Sequence, residues 1–108
     1  MPVLQNPVNT RLQILKTIYR MANKKADTPV SIDPAVIDGG YFSDINYQLR
    51  FLKEKGLVDY KKSYVNLKFK ISLTPEGVRV IEDAYRALTL EEPEKSELLN
   101  QTFAKMKI

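Results

Sequence analysis

The stretch SDINYQLRFLKEKGLV, residues 43–58, decides the fold. Three of its apolar residues recur at spacings of four and three: Ile45, Leu49 and Leu52. This periodicity predicts a helix that buries one side, with Ser43 as its N-cap and Asp44 in its first turn. Gly56 is the predicted end of the helix, because glycine readily adopts the left-handed backbone conformation that closes one.

The periodicity changes after Gly56. Val58 and Tyr60 are expected to begin a strand, and residues 61–66 to form a loop or turn. Four apolar residues then alternate with polar ones: Leu67, Phe69, Ile71 and Leu73. Because Lys68, Lys70 and Ser72 fall between them, we expect a half-buried antiparallel strand with a basic outer face.

The next helix is expected to begin at Thr74-Pro75-Glu76, which combines a cap, a first-turn proline and a first-turn carboxylate. Its predicted buried side consists of Val78, Ile81, Tyr85 and Leu88. After Glu91-Glu92-Pro93, a last helix is expected to carry an apolar face: Leu98, Leu99, Thr102, Phe103 and Met106. This face either folds back on its own domain or pairs with a second chain.

The residues before the central stretch predict a helix that begins at Asn9 or Thr10, since Thr10 and Gln13 have capping-box spacing. Its apolar stripe is Leu12, Leu15, Ile18, Tyr19 and Ala22. A very short strand is expected at Val30 and Ile32. Asp33-Pro34 then favours a helix of about two turns that ends at Gly39-Gly40.

Composition indicates one soluble globular domain, with 108 residues, 44% apolar and 28% charged. The net charge of +4 is unevenly distributed, because residues 1–80 carry 13 basic and 7 acidic side chains while residues 81–108 carry 4 and 6. The basic surface is therefore expected in the first three-quarters of the chain, where it is compatible with a polyanionic partner.

Several function classes are excluded or disfavoured. Without Cys or His, the chain has no disulfide, no Cys or His metal site and no Ser-His or Cys-His catalysis. Capping explains Asp33 and a solvated turn explains Asp38, and the glutamates of residues 91–97 lack EF-hand spacing. We expect a protein that is not an enzyme and uses no cofactor or metal. No apolar run approaches the ~20 residues of a bilayer span, and the N-terminus lacks signal-peptide features, so we expect a soluble cytoplasmic protein without a membrane partner.

The order helix, short strand, helix, helix, two-stranded hairpin and helix resembles the winged helix-turn-helix family. Residues 43–58 resemble that family's recognition helix and its exit into the wing, and Leu73-Thr-Pro-Glu-Gly77 resembles the return from the wing into the following helix. The resemblance covers roughly residues 9 to 90. It implies a mainly helical α+β domain over residues 1–90, with a three-helix core and a two- to three-stranded wing. Residues 91–108 would then be a C-terminal helical extension used for dimerisation.

The resemblance also implies a set of DNA-binding residues: Ser43, Asn46, Tyr47, Arg50, Lys53, Lys61, Lys62, Lys68 and Lys70. Arg50 would bond a guanine edge or a phosphate, and Asn46 would read adenine. The hairpin lysines would contact phosphate oxygens or the minor groove. Two simpler interpretations stay open: a solvated helix surface, and lysines that only protect an edge strand from aggregation.

The expected function is that of a DNA-binding transcriptional regulator that acts as a homodimer on double-stranded DNA. Its expected dimerisation residues are Leu88, Leu98, Leu99, Phe103 and Met106. The alternative is a winged helix used as a protein-interaction module, which Tyr47, Phe51 and the carboxylates of Asp44 and Glu54 suit better than a phosphate backbone. The sequence identifies neither a DNA target nor a small-molecule effector.

Overall fold

The chain forms a mostly helical α+β structure in which helices pack on a small antiparallel sheet. The structure is a computed structural model that describes residues 7–37, 40–63 and 66–105. Its elements, in chain order, are α1 (Pro7–Met21), β1 (Val30–Ile32), a 3-10 turn (Pro34–Val36), α2 (Phe42–Glu54), β2 (Val58–Ser63), β3 (Lys68–Leu73), α3 (Pro75–Ala87) and α4 (Glu94–Ala104). One apolar core lies between α1, α2, α3 and the inner face of the sheet.

Helix α2 confirms the inward stripe and the C-terminal stop predicted from the sequence. Ile45, Leu49 and Leu52 are each 0% exposed. Gly56 adopts a φ of 76°, its N–H donates to the carbonyl of Lys53 at 2.9 Å, and the N–H of Leu57 donates to the carbonyl of Leu52 at 2.9 Å. This pair of bonds is a Schellman motif, which satisfies the last carbonyls of the helix and turns the chain directly into β2.

The predicted N-cap of α2 is wrong. The helix begins at Phe42, so Ser43 lies in the first turn, and the cap residue Tyr41 makes no side-chain capping bond.

The start of α1 also differs from the prediction, since that helix begins at Pro7 and places Thr10 inside it as a buried side chain. Proline is favoured in the first turn because its missing N–H has no partner there anyway. The predicted apolar stripe of α1 is confirmed and gains Ile14, whereas Leu12 is only half-buried.

The sheet has the order β1-β3-β2, and both pairings are antiparallel. Phe69, Ile71 and Leu73 of β3 face the core, as their alternation predicts. Strand β2 continues to Ser63, so its last three residues pair with β3 instead of forming the predicted loop. Leu67 is not part of β3: it has a φ of 55° and is 53% exposed, because the chain is still turning there.

The predicted two-turn helix after Asp33 is wrong. Asp33 Oδ1 does accept the N–H of Ala35 at 3.0 Å, as a cap should, but the helical segment is a three-residue 3-10 turn. The backbone at Ile37 is extended, with φ −99° and ψ 93°, which ends the turn and leaves the Ile37 side chain 1% exposed. The predicted stop at Gly39 and the turn at Asp38 lie outside the described residues.

Helix α3 has the predicted start, and its predicted buried side is only partly right: Ile81 is buried and Val78 is half-buried against the core. Thr74 Oγ1 accepts the N–H of Gly77 at 3.0 Å. Small residues face the core alongside Val80 and Ile81: Gly77, Ala84 and Ala87. Tyr85 is 39% and Leu88 is 62% exposed, so the prediction that both are buried is wrong. A Cβ on Gly77 would lie 2.0 Å from the carbonyl oxygen of Leu57, so close backbone contact sets the rotation of α3.

The C-terminal segment forms a helix, as predicted, and α4 packs on α3 of the same chain. Thr102 is 2% exposed, and Phe103 is half-buried against the core. Leu98 and Leu99 are half-buried, while Met106 lies outside the described residues. Helix α4 therefore folds back on its own domain through at least Thr102 and Phe103. Pairing with a second chain stays a prediction.

Candidate nucleic-acid interface

The outward face of α2 presents three of the predicted contact residues. Ser43 and Arg50 are exposed, and Tyr47 is 59% exposed. They face outward because Ile45, Leu49 and Leu52 fix the opposite side of the helix in the core. Within the described part of the chain Arg50 makes no ion pair, so its guanidinium is available for a ligand.

Two other predicted contact residues of α2 turn toward the hairpin instead. The hydroxyl of Tyr60 donates to Asn46 Oδ1 at 3.2 Å. Reading adenine uses both the oxygen and the nitrogen of an asparagine amide, and the Tyr60 hydroxyl already occupies one of the two lone pairs of this oxygen. Lys53 Nζ lies 3.5 Å from Asp59 Oδ1 and 5.7 Å from the ring centroid of Tyr60. Both side chains therefore connect α2 to the base of β2.

The protein-interaction alternative requires Phe51 to be exposed, and that expectation is wrong. Phe51 is half-buried against the core, with the Arg11 guanidinium carbon 3.5 Å and Lys55 Nζ 5.5 Å from its ring centroid. Arg11 Nε also donates to Gln48 Oε1 at 2.6 Å, and these two side chains are only 3% and 2% exposed. Burial lowers the pKa of Arg11 below its ordinary value, and the phenol of Tyr47 partly opposes this shift.

Sequence reasoning missed the buried pair of Arg11 and Gln48. One signal was present: Arg11 continues the stripe of Ile14, Leu15 and Ile18 at helical spacing, and Gln48 adjoins Leu49 on the inward side of α2. A polar residue in register with an apolar stripe either means that the buried face was assigned wrongly or belongs to a buried hydrogen-bonded pair. Arg11 and Gln48 form such a pair.

The four hairpin lysines are all exposed and form a basic surface. Lys61 of β2 lies directly opposite Lys70 of β3, and Lys68 lies opposite Ser63, so these three lysines share the outer face of the sheet. Lys62 lies opposite Phe69 on the other face. All four nevertheless border one shallow hollow of about 310 Å³ on the hairpin.

The positive charge on this outer face is not neutralised. Among the described residues, Lys61, Lys68 and Lys70 form no ion pair with a carboxylate. Asp59, which is on the same face of β2, pairs with Lys53 instead. Like charges directly opposite each other destabilise a sheet by about 0.2–1 kcal/mol, so the pairing of Lys61 with Lys70 is a cost to folding.

Edge protection does not account for Lys70. Lysines guard a sheet against aggregation when they lie on an edge strand, and β2 is such a strand. Lys70, however, lies on the central strand, with Ser31 of β1 on one side and Lys61 of β2 on the other. The simpler interpretation therefore covers Lys61 and Lys62 and leaves Lys70 unexplained.

The described residues hold no group of three or more acidic side chains arranged to bind a metal ion. Among the helices of this part of the chain, none combines the length and the apolar character that crossing a bilayer requires.

Comparisons of the chain with protein-family models, with curated proteins and with solved structures find no match.

Proposed function

We propose that the chain is a winged helix-turn-helix domain that binds double-stranded DNA, with α2 in the major groove and the β2–β3 hairpin as the wing. The observation that carries this proposal is the opposition of Lys61 and Lys70 on the outer face of the sheet, where no carboxylate of the described residues pairs with either of them. A polyanion placed over this face relieves the repulsion between the two ammonium groups and releases its own counterions.

The element order supports the same assignment. A short strand and a 3-10 turn precede α2, the Schellman motif at Gly56 leads straight into the hairpin, and α3 follows the hairpin. The 3-10 turn at Pro34–Val36 takes the place of the second helix of a helix-turn-helix unit. The hairpin therefore adjoins the C-terminal end of the helix that presents Tyr47 and Arg50.

The proposed roles follow from exposure and partners. Arg50 bonds a guanine edge or clamps a phosphate, and Ser43 and Tyr47 contact the same stretch of duplex. Lys61, Lys68 and Lys70 meet phosphate oxygens. Asn46 and Lys53 hold α2 and β2 in their relative positions through Tyr60 and Asp59.

The proposed biological role is regulation of transcription in the cytoplasm, by a homodimer whose two-fold symmetry matches two half-sites on DNA. Exposed Leu88 and half-buried Leu98 and Leu99 provide apolar surface for the pairing. The proposed function includes no catalysed reaction.

The test is fluorescence anisotropy with a labelled random duplex pool at two salt concentrations, followed by selection and sequencing of the bound fraction. We expect binding that weakens steeply as salt rises. Arg50→Ala should weaken binding of the selected duplex by about 5–150-fold, the range of about 1–3 kcal/mol for a bidentate base contact. Arg79→Ala, which removes an exposed arginine from α3, is the matched control and should bind as the wild type does.

A second candidate function is a protein-interaction module on the same fold. Two exposed aromatic side chains near α2 favour it, Tyr41 at 67% and Tyr47 at 59% exposure, because aromatic residues are enriched at protein interfaces. If the wild-type protein retains no duplex at low salt, DNA binding is refuted and this second function becomes the better interpretation.

A further inference from the structure

A cavity of about 500 Å³ lies where the end of α1 meets α3, on residues that belong neither to α2 nor to the hairpin. It is lined by Tyr19, Arg20, Asn23, Lys24 and Tyr85. Its volume falls within the range of roughly 300–1,000 Å³ that is typical of small-molecule sites. What it could bind is decided by two aromatic rings and by the cations around them.

The two tyrosine rings form the apolar part of the cavity. Their centroids are 5.8 Å apart and their planes are inclined by 36°. Tyr19 is 8% exposed, and its hydroxyl donates to Glu82 Oε2 at 3.0 Å, so its ring is held in place. Tyr85 is 39% exposed although it lies between the buried residues Ala84 and Ala87 on α3. A planar apolar ring packed against this pair would cover surface that the chain itself leaves open.

The cations of the cavity have no carboxylate partners among the described residues. Arg20 and Lys24 line it, and Lys16 Nζ lies 5.9 Å from the ring centroid of Tyr85. Glu82 contributes the opposing negative charge, and Tyr19 already holds it by a hydrogen bond. The three cations outnumber this one carboxylate, so the site favours an anion.

The end of α1 explains why Lys24 reaches the cavity. The N–H of Lys24 donates to the carbonyl of Tyr19 at 2.8 Å, and the N–H of Asn23 donates to the carbonyl of Arg20 at 3.3 Å. Both residues have left-handed backbones, with φ values of 65° and 58°. The chain therefore folds back over its last helical turn and brings Lys24 beside Tyr19 and Arg20.

We infer that this cavity binds a small aromatic carboxylate, with the ring against Tyr19 and Tyr85 and the carboxylate on Arg20 and Lys24. The planar guanidinium of Arg20 can pair with both oxygens of a carboxylate, and the ammonium of Lys24 adds a second cation. An anion without a ring would leave the tyrosines uncovered, and a neutral ring would leave the cations unpaired. The inference does not depend on DNA binding.

The test uses benzoate, titrated into the full chain at constant ionic strength and followed by amide NMR shifts. We expect saturable shifts centred on the residues that line the cavity, with a dissociation constant below ~10 mM for a ligand of this size. Acetate, which lacks the ring, and benzamide, which lacks the charge, should each bind at least about tenfold more weakly, because each loses one of the two contacts.

Variants locate the site independently. Arg20→Gln and Tyr85→Ala change exposed side chains, so both should fold, and each should weaken benzoate binding about tenfold or more. Arg86→Gln, one residue from Tyr85 but paired with Asp83 at 3.1 Å, is the matched control and should bind as the wild type does. The inference is overturned by shifts that do not saturate, by acetate or benzamide binding as well as benzoate, or by equal weakening in Arg86→Gln.

Discussion

Arg11 of α1 donates its Nε–H to Oε1 of Gln48 on α2 at 2.6 Å, and the two side chains are 3% and 2% exposed. The same guanidinium packs on the ring of Phe51, so one cation holds two residues of α2. Rotation of α2 about its axis would take the acceptor away from a buried charge, which is costly. This contact therefore helps to keep Tyr47 and Arg50 on the outside.

Gln48→Leu should lower the free energy of unfolding by about 1.5–3 kcal/mol, because the buried Nε–H of Arg11 loses the Gln48 acceptor. Urea denaturation at neutral pH measures this loss. In a double-mutant cycle with Arg11→Met, the double variant should lose less stability than the two single losses together. Arg50→Met, on the exposed side of α2, is the control and should change stability by no more than about 0.5 kcal/mol. Additive losses in the cycle would show that the two residues act separately.

Gly77→Ala should be among the most damaging single substitutions in α3. The added Cβ would lie 2.0 Å from the carbonyl oxygen of Leu57, which also accepts the N–H of Thr74 at 3.1 Å and so cannot move freely. We expect a loss of about 3 kcal/mol in unfolding free energy, at the upper end for overpacking. Gly56→Ala is the comparison: its Cβ meets open space, and its φ of 76° alone should cost about 1–2 kcal/mol. Equal losses would contradict the proposed close contact.

Local patterns in the sequence predicted the elements whose determinants are local. The stripe of α2, its stop at Gly56 and the cap at Thr74 each depend on residues within one or two helical turns, and all three are confirmed. The buried side of α3 was partly wrong because the prediction favoured large side chains. Gly77, Ala84 and Ala87 face the core instead, since close backbone contact needs small residues there.

The candidate site depends on contacts between distant residues, which the sequence does not display. Arg11 and Gln48 are 37 positions apart, and only the packing of α1 on α2 brings them together. The opposition of Lys61 and Lys70 depends on the register of the hairpin, and β2 extends through residues that looked like a loop. The exposure of Tyr47 and Arg50, by contrast, followed directly from the predicted stripe and is confirmed.

Tyr19 should make the folded protein less stable at alkaline pH. Burial, and then the hydrogen bond and charge of Glu82, raise the pKa of Tyr19 above its ordinary value of 10.0. Above about pH 10 the unfolded chain therefore loses this proton before the folded chain does, and the folded state loses stability as pH rises. Below that pH the contribution is fully present.

Tyr19→Phe should cost about 0.5–1 kcal/mol of unfolding free energy at pH 7, where it removes the bond to Glu82. The difference between wild type and variant should shrink as pH rises above about 10, because only the wild type carries this ionisation. Urea unfolding at a series of pH values measures both effects. Tyr47→Phe, at a tyrosine that is 59% exposed, is the control and should leave both values unchanged. A constant difference from neutral to alkaline pH would show that Tyr19 does not titrate abnormally.

The pair Lys61 and Lys70 should trade stability against DNA affinity. In Lys61→Gln with Lys70→Gln, loss of the repulsion across β2 and β3 should raise the unfolding free energy by about 0.2–1 kcal/mol. If both lysines contact phosphates, the slope of log affinity against log salt should become shallower by about 1.8. Unfolding in urea and anisotropy titrations at several salt concentrations measure the two effects on the same protein.

A second double variant, Lys95→Gln with Lys105→Gln, separates this pair from net charge, because it removes the same two charges from the α4 region of the chain. It should keep the wild-type salt slope, and it should gain no stability, since it breaks the ion pair of Lys105 with Glu76. Equal losses of affinity in the two double variants would mean that DNA responds only to overall charge. If Lys61→Gln with Lys70→Gln lowers the free energy of unfolding, the two ammonium groups do not repel each other in the folded sheet. A basic surface that is maintained for a polyanion at a cost to folding makes one prediction for Lys61→Gln with Lys70→Gln: the affinity for DNA falls while the free energy of unfolding rises.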